Sequence, residues 1–239
     1  MLRFGIAALL FAAAPASAQP SPCSGVQCSG HGTCLEERQD PFCLCDDGYA
    51  ADGLRCEAHP DPEPDAGALR SSSIGARIVR IASAEAGRRA PEVGRDLDEY
   101  PRTMQQYLKP GELWCTDFVA WVYRAAGVPF TGGYQGGWHL TNNYAVRAWF
   151  ERHDRWVANG SPAWDTFQPR PGDYLRFHTS RFGHSAIVRY VAGDALYTVE
   201  GNARGGVVRL QRYPHYKQNR RIDGFGLVTQ ADPRRALLR

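Results

Sequence analysis

The chain of 239 residues has almost no lysine: Lys109 and Lys217 are its only two, and arginine carries the rest of the positive charge. Its formal net charge is +3, which identifies no nucleic-acid partner, although a mildly basic protein is drawn to anionic cell envelopes. Long hydrophobic runs are also missing. The most apolar segment, Phe4 to Ala14, is too short for a bilayer core of ~30 Å, which takes ~20 residues. No later segment is longer or more apolar, so stable membrane insertion by a helix is not expected. The cysteines lack the paired Cys-x2-Cys spacing of a zinc site. Asp96, Asp98 and Glu99 lack the twelve-residue pattern of a calcium loop and read as a solvated turn. There is no internal repeat.

What is present begins with a basic start at Arg3, the short apolar run, and the small residues Ala16, Ser17 and Ala18. That order predicts a secretory signal over residues 1–18, cut after Ala18, and an exported, soluble mature protein, extracellular or periplasmic. The first cysteine, Cys23, lies too far downstream to mark a lipoprotein. About 220 residues remain, enough for a small and a medium domain, and a hydrophobic content of 43% with six Trp supports a sizeable core.

Cysteine usage divides the chain. Cys23, Cys28, Cys34, Cys43, Cys45 and Cys56 crowd together, while Cys115 stands alone. In an oxidising compartment the cluster should form three disulfides, because so short a segment buries too little apolar surface to fold unaided. Spacing alone leaves fifteen pairings open. The run Cys-x4-Cys-x5-Cys-x8-Cys-x-Cys-x10-Cys, with Gly30, Gly32, Gly48, Tyr49 and Gly53 in its gaps, resembles an EGF-like module over residues 23–56. The resemblance implies the pairs Cys23 with Cys34, Cys28 with Cys43, and Cys45 with Cys56. It also implies a small two-stranded scaffold for spacing or for contact with a protein or glycan partner. The calcium-binding subtype carries acidic residues before its first cysteine; here the segment is Ala18-Gln19-Pro20-Ser21-Pro22, so no calcium is expected. Residues 57–73, where Pro60, Pro62 and Pro64 alternate with acidic residues, read as a semi-extended linker.

Beyond the linker, Ser72 or Ser73 can cap a helix carrying Ile74, Ile78, Ile81, Ala82 and Ala86 and ending near Gly87. A second helix should begin just before Cys115, with Phe118, Val119, Val122 and Ala126 on the cysteine's side, and stop at Gly127 ahead of Pro129. After the Pro171-Gly172-Asp173 turn come strand-like runs at 174–178, 184–191, 195–202, 207–212 and 224–229. Helices first and strands after predict an α+β domain over 74–229, an antiparallel sheet packed on the helices. A basic tail, 230–239, follows with Arg234, Arg235 and Arg239.

A lone cysteine is usually a small buried hydrophobe. In an exported chain, however, an unpaired thiol is an oxidation liability, and a helix start favours the thiolate that attacks carbonyls. His184 opens an apolar strand. If that strand pairs with the next through Ala192-Gly193-Asp194, reflection about Gly193 sets His184 opposite Asn202, with Glu200 two positions away on the same face. A carboxylate or amide there fixes the imidazole's tautomer, as nucleophile, base and orienter sets require.

The segments Trp114-Cys115-Thr116-Asp117-Phe118-Val119, Arg170-Pro171-Gly172-Asp173, Gly183-His184-Ser185-Ala186-Ile187-Val188 and Val199-Glu200-Gly201-Asn202 occur in this order. Together they resemble the CHAP domain, the cysteine, histidine-dependent amidohydrolase/peptidase family related to papain-like hydrolases. The resemblance implies a papain-like fold, Cys115 as nucleophile, His184 as base, and Glu200 with Asn202 as orienters. It also implies a bacterial enzyme that hydrolyses amide bonds in cell-wall peptidoglycan through a thioester, with no cofactor or metal required. The alternatives are an adhesion or binding protein with a non-catalytic domain, and a cysteine protease acting on proteins of a host or competitor. An insert with Trp138, His139, Trp149 and Trp156 separates the nucleophile helix from the Pro-Gly-Asp turn. Tyr134, Trp138 and Tyr144 suit sugar stacking or core packing equally well, and His178 reads as a surface residue rather than a second base or metal ligand.

Overall fold

A computed structural model describes residues 20–37, 40–59, 74–96, 103–178 and 183–228. The signal region 1–18, linker residues 60–73 with Ser72 and Ser73, the acidic Asp98 and Glu99, and the tail 230–239 lie outside the described residues. No described helix is long and apolar enough to cross a membrane.

The cysteine-rich segment folds into two antiparallel hairpins, β1 (Gly32–Glu37) with β2 (Asp40–Cys45), and β3 (Tyr49–Asp52) with β4 (Arg55–Ala58). Three disulfides hold them: Cys23 to Cys34, Cys28 to Cys43, and Cys45 to Cys56. Bridges replace a core here, since the buried residues of this unit are little more than the cysteines themselves and Ala51.

The larger part is a six-stranded antiparallel sheet with three helices. Its strands are β5 (Trp156–Ala158), β6 (Tyr174–Phe177), β7 (His184–Ala192), β8 (Ala195–Ala203), β9 (Val207–Tyr213) and β10 (Ile222–Gly226), in the spatial order β5-β10-β6-β7-β8-β9. The helices are α1 (Ile74–Ala84), α2 (Cys115–Ala125) and α3 (Asn143–Arg152). The chain is thus a mixed helix and sheet protein.

Apolar spacing explains the helices. In α1, Ile74, Ile78, Ile81 and Ala82 are buried, the stripe expected of a helix with one face on a core; Ala86 falls beyond its end and is exposed. Helix α2 is buried from Cys115 to Tyr123 and packs on both β7 and β8, so it is the central helix. It ends in a Schellman motif: the Val128 N–H donates to the Tyr123 carbonyl and that of Gly127 to Arg124, with Gly127 in the left-handed region at φ 84°. Gly201 on β8 sets how closely α2 approaches the sheet. A Cβ there would lie 2.4 Å from Phe118 Cβ.

The sheet buries both faces. Tyr174, Ile187, Val199 and Val208 join the helix-side core. Leu175, Phe177, Ala186, Val188 and Leu196 pack instead with Trp164, Phe167, Tyr216 and Phe225 in a second core.

Within the insert lie α3 and β5, which the sequence pattern did not reveal. Asn142 caps α3 by accepting from the Tyr144 and Ala145 N–H groups at 2.7 and 3.4 Å. The disulfide unit sits against this insert. The Cys45 N–H donates to the Gly132 carbonyl (3.0 Å) and the Ala51 N–H to that of Gly133 (2.8 Å). Arg152 donates to the Cys45 carbonyl (2.6 Å), and Thr131 to Asp47 (2.7 Å). Leu44, 1% exposed, belongs to the helix-side core.

Candidate active site

Two strands and one helix start bring the chemistry together. The β7–β8 hairpin turns over Gly193 and Asp194, with Ala192 opposite Ala195 and Tyr190 opposite Tyr197; between Tyr190 and Val188 the register shifts, so that Val188 faces Thr198 and Ile187 faces Val199. The extra residue is Arg189. Opposed residues share a sheet face and alternate along each strand, so this bulge decides which residues of β8 accompany His184. Without it, Val199, Gly201 and Ala203 would share the face of His184. With it, Thr198, Glu200 and Asn202 do. The turn has one residue fewer than the expected Ala192-Gly193-Asp194, and the bulge compensates for the difference.

His184 Nε2 lies 2.9 Å from Glu200 Oε2. The other carboxylate oxygen, Oε1, accepts from Thr198 Oγ1 at 2.6 Å and Tyr213 Oη at 2.7 Å. Glu200 is 3% exposed, and three donors offset the cost of burying its charge. With Nε2 committed to the carboxylate, Nδ1 is the ring nitrogen left for the thiol of Cys115. Burial alone would push the imidazole pKa down; hydrogen bonding and charge from Cys115 and Glu200 outweigh it and hold His184 at about 10. The proton is therefore kept on the ring when the sulfur carries negative charge.

Cys115 is buried, is the one free cysteine among the described residues, and is the first residue of α2. The first helical hydrogen bond runs from the Phe118 N–H to the Trp114 carbonyl, so the N–H groups of Cys115, Thr116 and Asp117 precede it and have no intrahelical acceptor. Partial positive charge collects there. A buried chain of hydroxyls fixes the helix start to the sheet: Thr116 Oγ1 lies 3.1 Å from Ser185 Oγ, which lies 2.9 Å from Tyr174 Oη. Ser185 is the neighbour of His184, so the same contacts that anchor α2 also hold the strand that carries His184. Burial raises the Tyr174 phenol above its ordinary range, so it stays a neutral hydrogen-bonding group.

Cys115 and His184 open into a common cavity of about 910 Å³, together with Thr116, Asn142, Asn143 and Asn202. Asn202 is in the left-handed region at φ 50° and also lines the adjoining pocket beside Tyr213. Its side chain makes no described hydrogen bond to the imidazole; the contact to His184 is made by Glu200. Tyr213 and Thr198 complete the carboxylate's surroundings. Tyr213 was not among the expected site residues because it reaches Glu200 across the sheet from β9, one residue past the apolar run that marks that strand.

The remaining candidates fall elsewhere. Trp138 is 2% exposed, with the Arg124 guanidinium 4.4 Å above its ring, and serves the core. Tyr144 stacks on Arg176, 4.1 Å from ring centre to guanidinium, while Tyr134 lines the cavity. His139 Nε2 lies 2.7 Å from Asp117 Oδ1 in full burial, tying the insert to α2; burial raises the Asp117 carboxyl to about 6 even against its bond to His139. His178 is exposed and outside the cavity. Among the described residues, the one group with metal-ligand proximity is Cys28, Cys43 and Cys56. Its sulfurs are locked in disulfides and offer no thiolate.

Cys115 and His184 thus share one cavity, with Glu200 behind the imidazole. Residues 107–202 match the CHAP domain family. The CHAP match spans Cys115, His184, Glu200 and Asn202 and takes in the insert. Solved structures that align with this chain include "The crystal structure of Ly7917", 17% identical, with 65% of this chain aligned to 62% of that one at a TM-score of 0.39. Ly7917 "with the hydrolyzing product of MDP" is 16% identical over 63% of this chain and 61% of that one, at a TM-score of 0.38. PlyC is 15% identical over 66% of this chain and 36% of that one, at 0.39. The chain thus spans less than two thirds of each of these structures. No curated protein matches it.

Proposed function

We propose that the protein is an exported cysteine amidase or endopeptidase that hydrolyses amide bonds of bacterial cell-wall peptidoglycan, with a papain-like catalytic arrangement in its CHAP domain and an EGF-like module at its N-terminus. The observation that carries this reading is His184, held by Glu200 on one side and facing the thiol at a helix start on the other. The signal-like N-terminus and the three disulfides support export.

In this mechanism His184 Nδ1 takes the proton of Cys115, and the thiolate attacks the amide carbonyl. Backbone N–H groups at the start of α2 stabilise the oxyanion that forms. The imidazolium then gives its proton to the leaving amine, and water, deprotonated by the same ring, hydrolyses the thioester. Glu200 accepts from Nε2–H throughout and steadies the imidazolium.

The test is mass spectrometry of purified peptidoglycan after digestion by the wild type and by Cys115→Ala. New amine termini released by the wild type alone are expected and would name the bond. Identical digests would leave a cell-wall or peptide binder as the better reading.

A further inference from the structure

The cavity containing Cys115 and His184 is not built by the CHAP region alone. Pro41 and Phe42, on β2 of the disulfide unit, line it too. Leu113, 49% exposed, and Tyr134 line it as well. Four apolar or aromatic side chains from three separate segments thus line the cavity that holds one thiol, beside the charged Lys109 and Glu112 and the amides Asn142 and Asn143.

We propose that the disulfide unit is part of the substrate site: Phe42, with Pro41, forms a subsite for an apolar side chain of the extended peptide that flanks the scissile amide. The proposal rests on the reading of Cys115 as the nucleophile of peptide hydrolysis and assigns to the unit a role in selecting what reaches it. A unit joined only by a linker would sweep past the cleft and select nothing. This one is seated. Backbone bonds from Cys45 and Ala51 to Gly132 and Gly133, the Arg152 contact to the Cys45 carbonyl, and burial of Leu44 in the helix-side core fix it two residues from Phe42. The fit leaves no slack at Gly132, where a Cβ would lie 2.3 Å from the Cys45 carbonyl oxygen. Phe42 itself packs partly on that core, so its ring is held at the cavity instead of turning freely. The occupant is peptide because the wall is continuous with the thiol and imidazole. Apolar faces beside a scissile amide hold side chains, and a rigid ring holds them at small entropic cost.

The experiment compares two alkylating reagents on full-length, oxidised protein. Iodoacetamide needs only the thiol, whereas an acetyl-dialanyl chloromethyl ketone must also lie along the cleft. The wild type should react faster with the peptidyl reagent. Phe42→Ala should slow the peptidyl reagent about tenfold, which corresponds to about 1.4 kcal/mol, and leave iodoacetamide within about twofold; Phe42→Leu should recover most of the difference. Equal slowing of both reagents would mean that Phe42 only supports the fold, and no slowing of either would mean that the ring touches no substrate. Each result overturns the proposal, as does a wild type with no peptidyl preference. A preference that depends on Phe42 in a protein that releases no amine from peptidoglycan would keep the subsite and reject the cell-wall reading instead.

Discussion

Glu200 reaches His184, 2.9 Å away, because β7 carries one residue more than β8 between their turn and their far ends. The bulge at Arg189 reverses the face alternation of β7 relative to its partner, and the carboxylate lands beside the imidazole instead of on the opposite side of the sheet.

Glu200 and Asn202 should therefore differ sharply on substitution. Glu200→Gln replaces an anion that steadies imidazolium with a neutral amide, and kcat/KM should fall by about 10²-fold or more, within the range of general acid–base contributions. Asn202→Ala should stay within about fivefold, because the contact to the base is made elsewhere. Steady-state kinetics on a soluble muropeptide checks both, and an Asn202→Ala loss as large as that of Glu200→Gln would reassign the orienter.

The pH profile follows from the raised His184. Its folded pKa of about 10 exceeds the ordinary imidazole value of ~6.5, so the proton is bound more tightly in the folded state. The stabilisation it brings is fully present below about 6.5 and is lost as the pH rises through about 10. Activity that needs the imidazolium to protonate the leaving amine should share that alkaline limb, with kcat/KM declining near pH 10. In Cys115→Ala the sulfur's hydrogen bond and charge are gone, and the His184 pKa should drop by an amount that imidazole NMR titration measures directly. An unchanged value would show that the sulfur and the ring are not coupled.

Gly201→Ala should damage both stability and rate. The added methyl meets Phe118 at 2.4 Å, and overpacking of this kind costs ~1–3 kcal/mol. Because the nearest obstacle is Phe118 Cβ, which alanine would keep, the cost of Gly201→Ala should shrink in a Phe118→Gly background, a non-additivity read by a thermal double-mutant cycle. Full additivity would mean that α2 does not rest on β8 through this pair.

Thiol chemistry separates the two kinds of cysteine. The folded, oxidised protein should titrate one thiol, Cys115. Breaking the Cys45–Cys56 bridge by a double Ser substitution should destabilise the disulfide unit by ~2–5 kcal/mol. It should also slow peptide hydrolysis while leaving iodoacetamide labelling of Cys115 in place. Equal loss of both reactions would show that the unit supports the whole fold and not the cleft alone.

Much of this was legible in the chain itself, for local reasons. Apolar spacing and Gly127 marked α2, and short alternating runs marked β6 to β10, because one-sided burial leaves a period in the sequence. The mirrored Glu200 was readable because a hairpin is a local object. The bulge at Arg189 was not: it has no distinctive residue, and the expected three-residue turn happened to give the same parity. Helix α3 was hidden among aromatic and polar residues whose burial depends on partners far along the chain, such as the Thr131 hydroxyl that accepts from the Trp149 indole N–H at 2.7 Å. Tyr213 and the docking of β2 were invisible for the same reason. Both are contacts between segments that share no local pattern.

Leu44 has a last consequence. A small disulfide module is ordinarily a portable bead that can be swapped or deleted without disturbing its neighbour. Here one of its leucines fills a hole in that neighbour's interior. Excising the bead would expose greasy surface and uncover one flank of the cavity around Cys115, so the protein behaves as a single machined part rather than two threaded on a string.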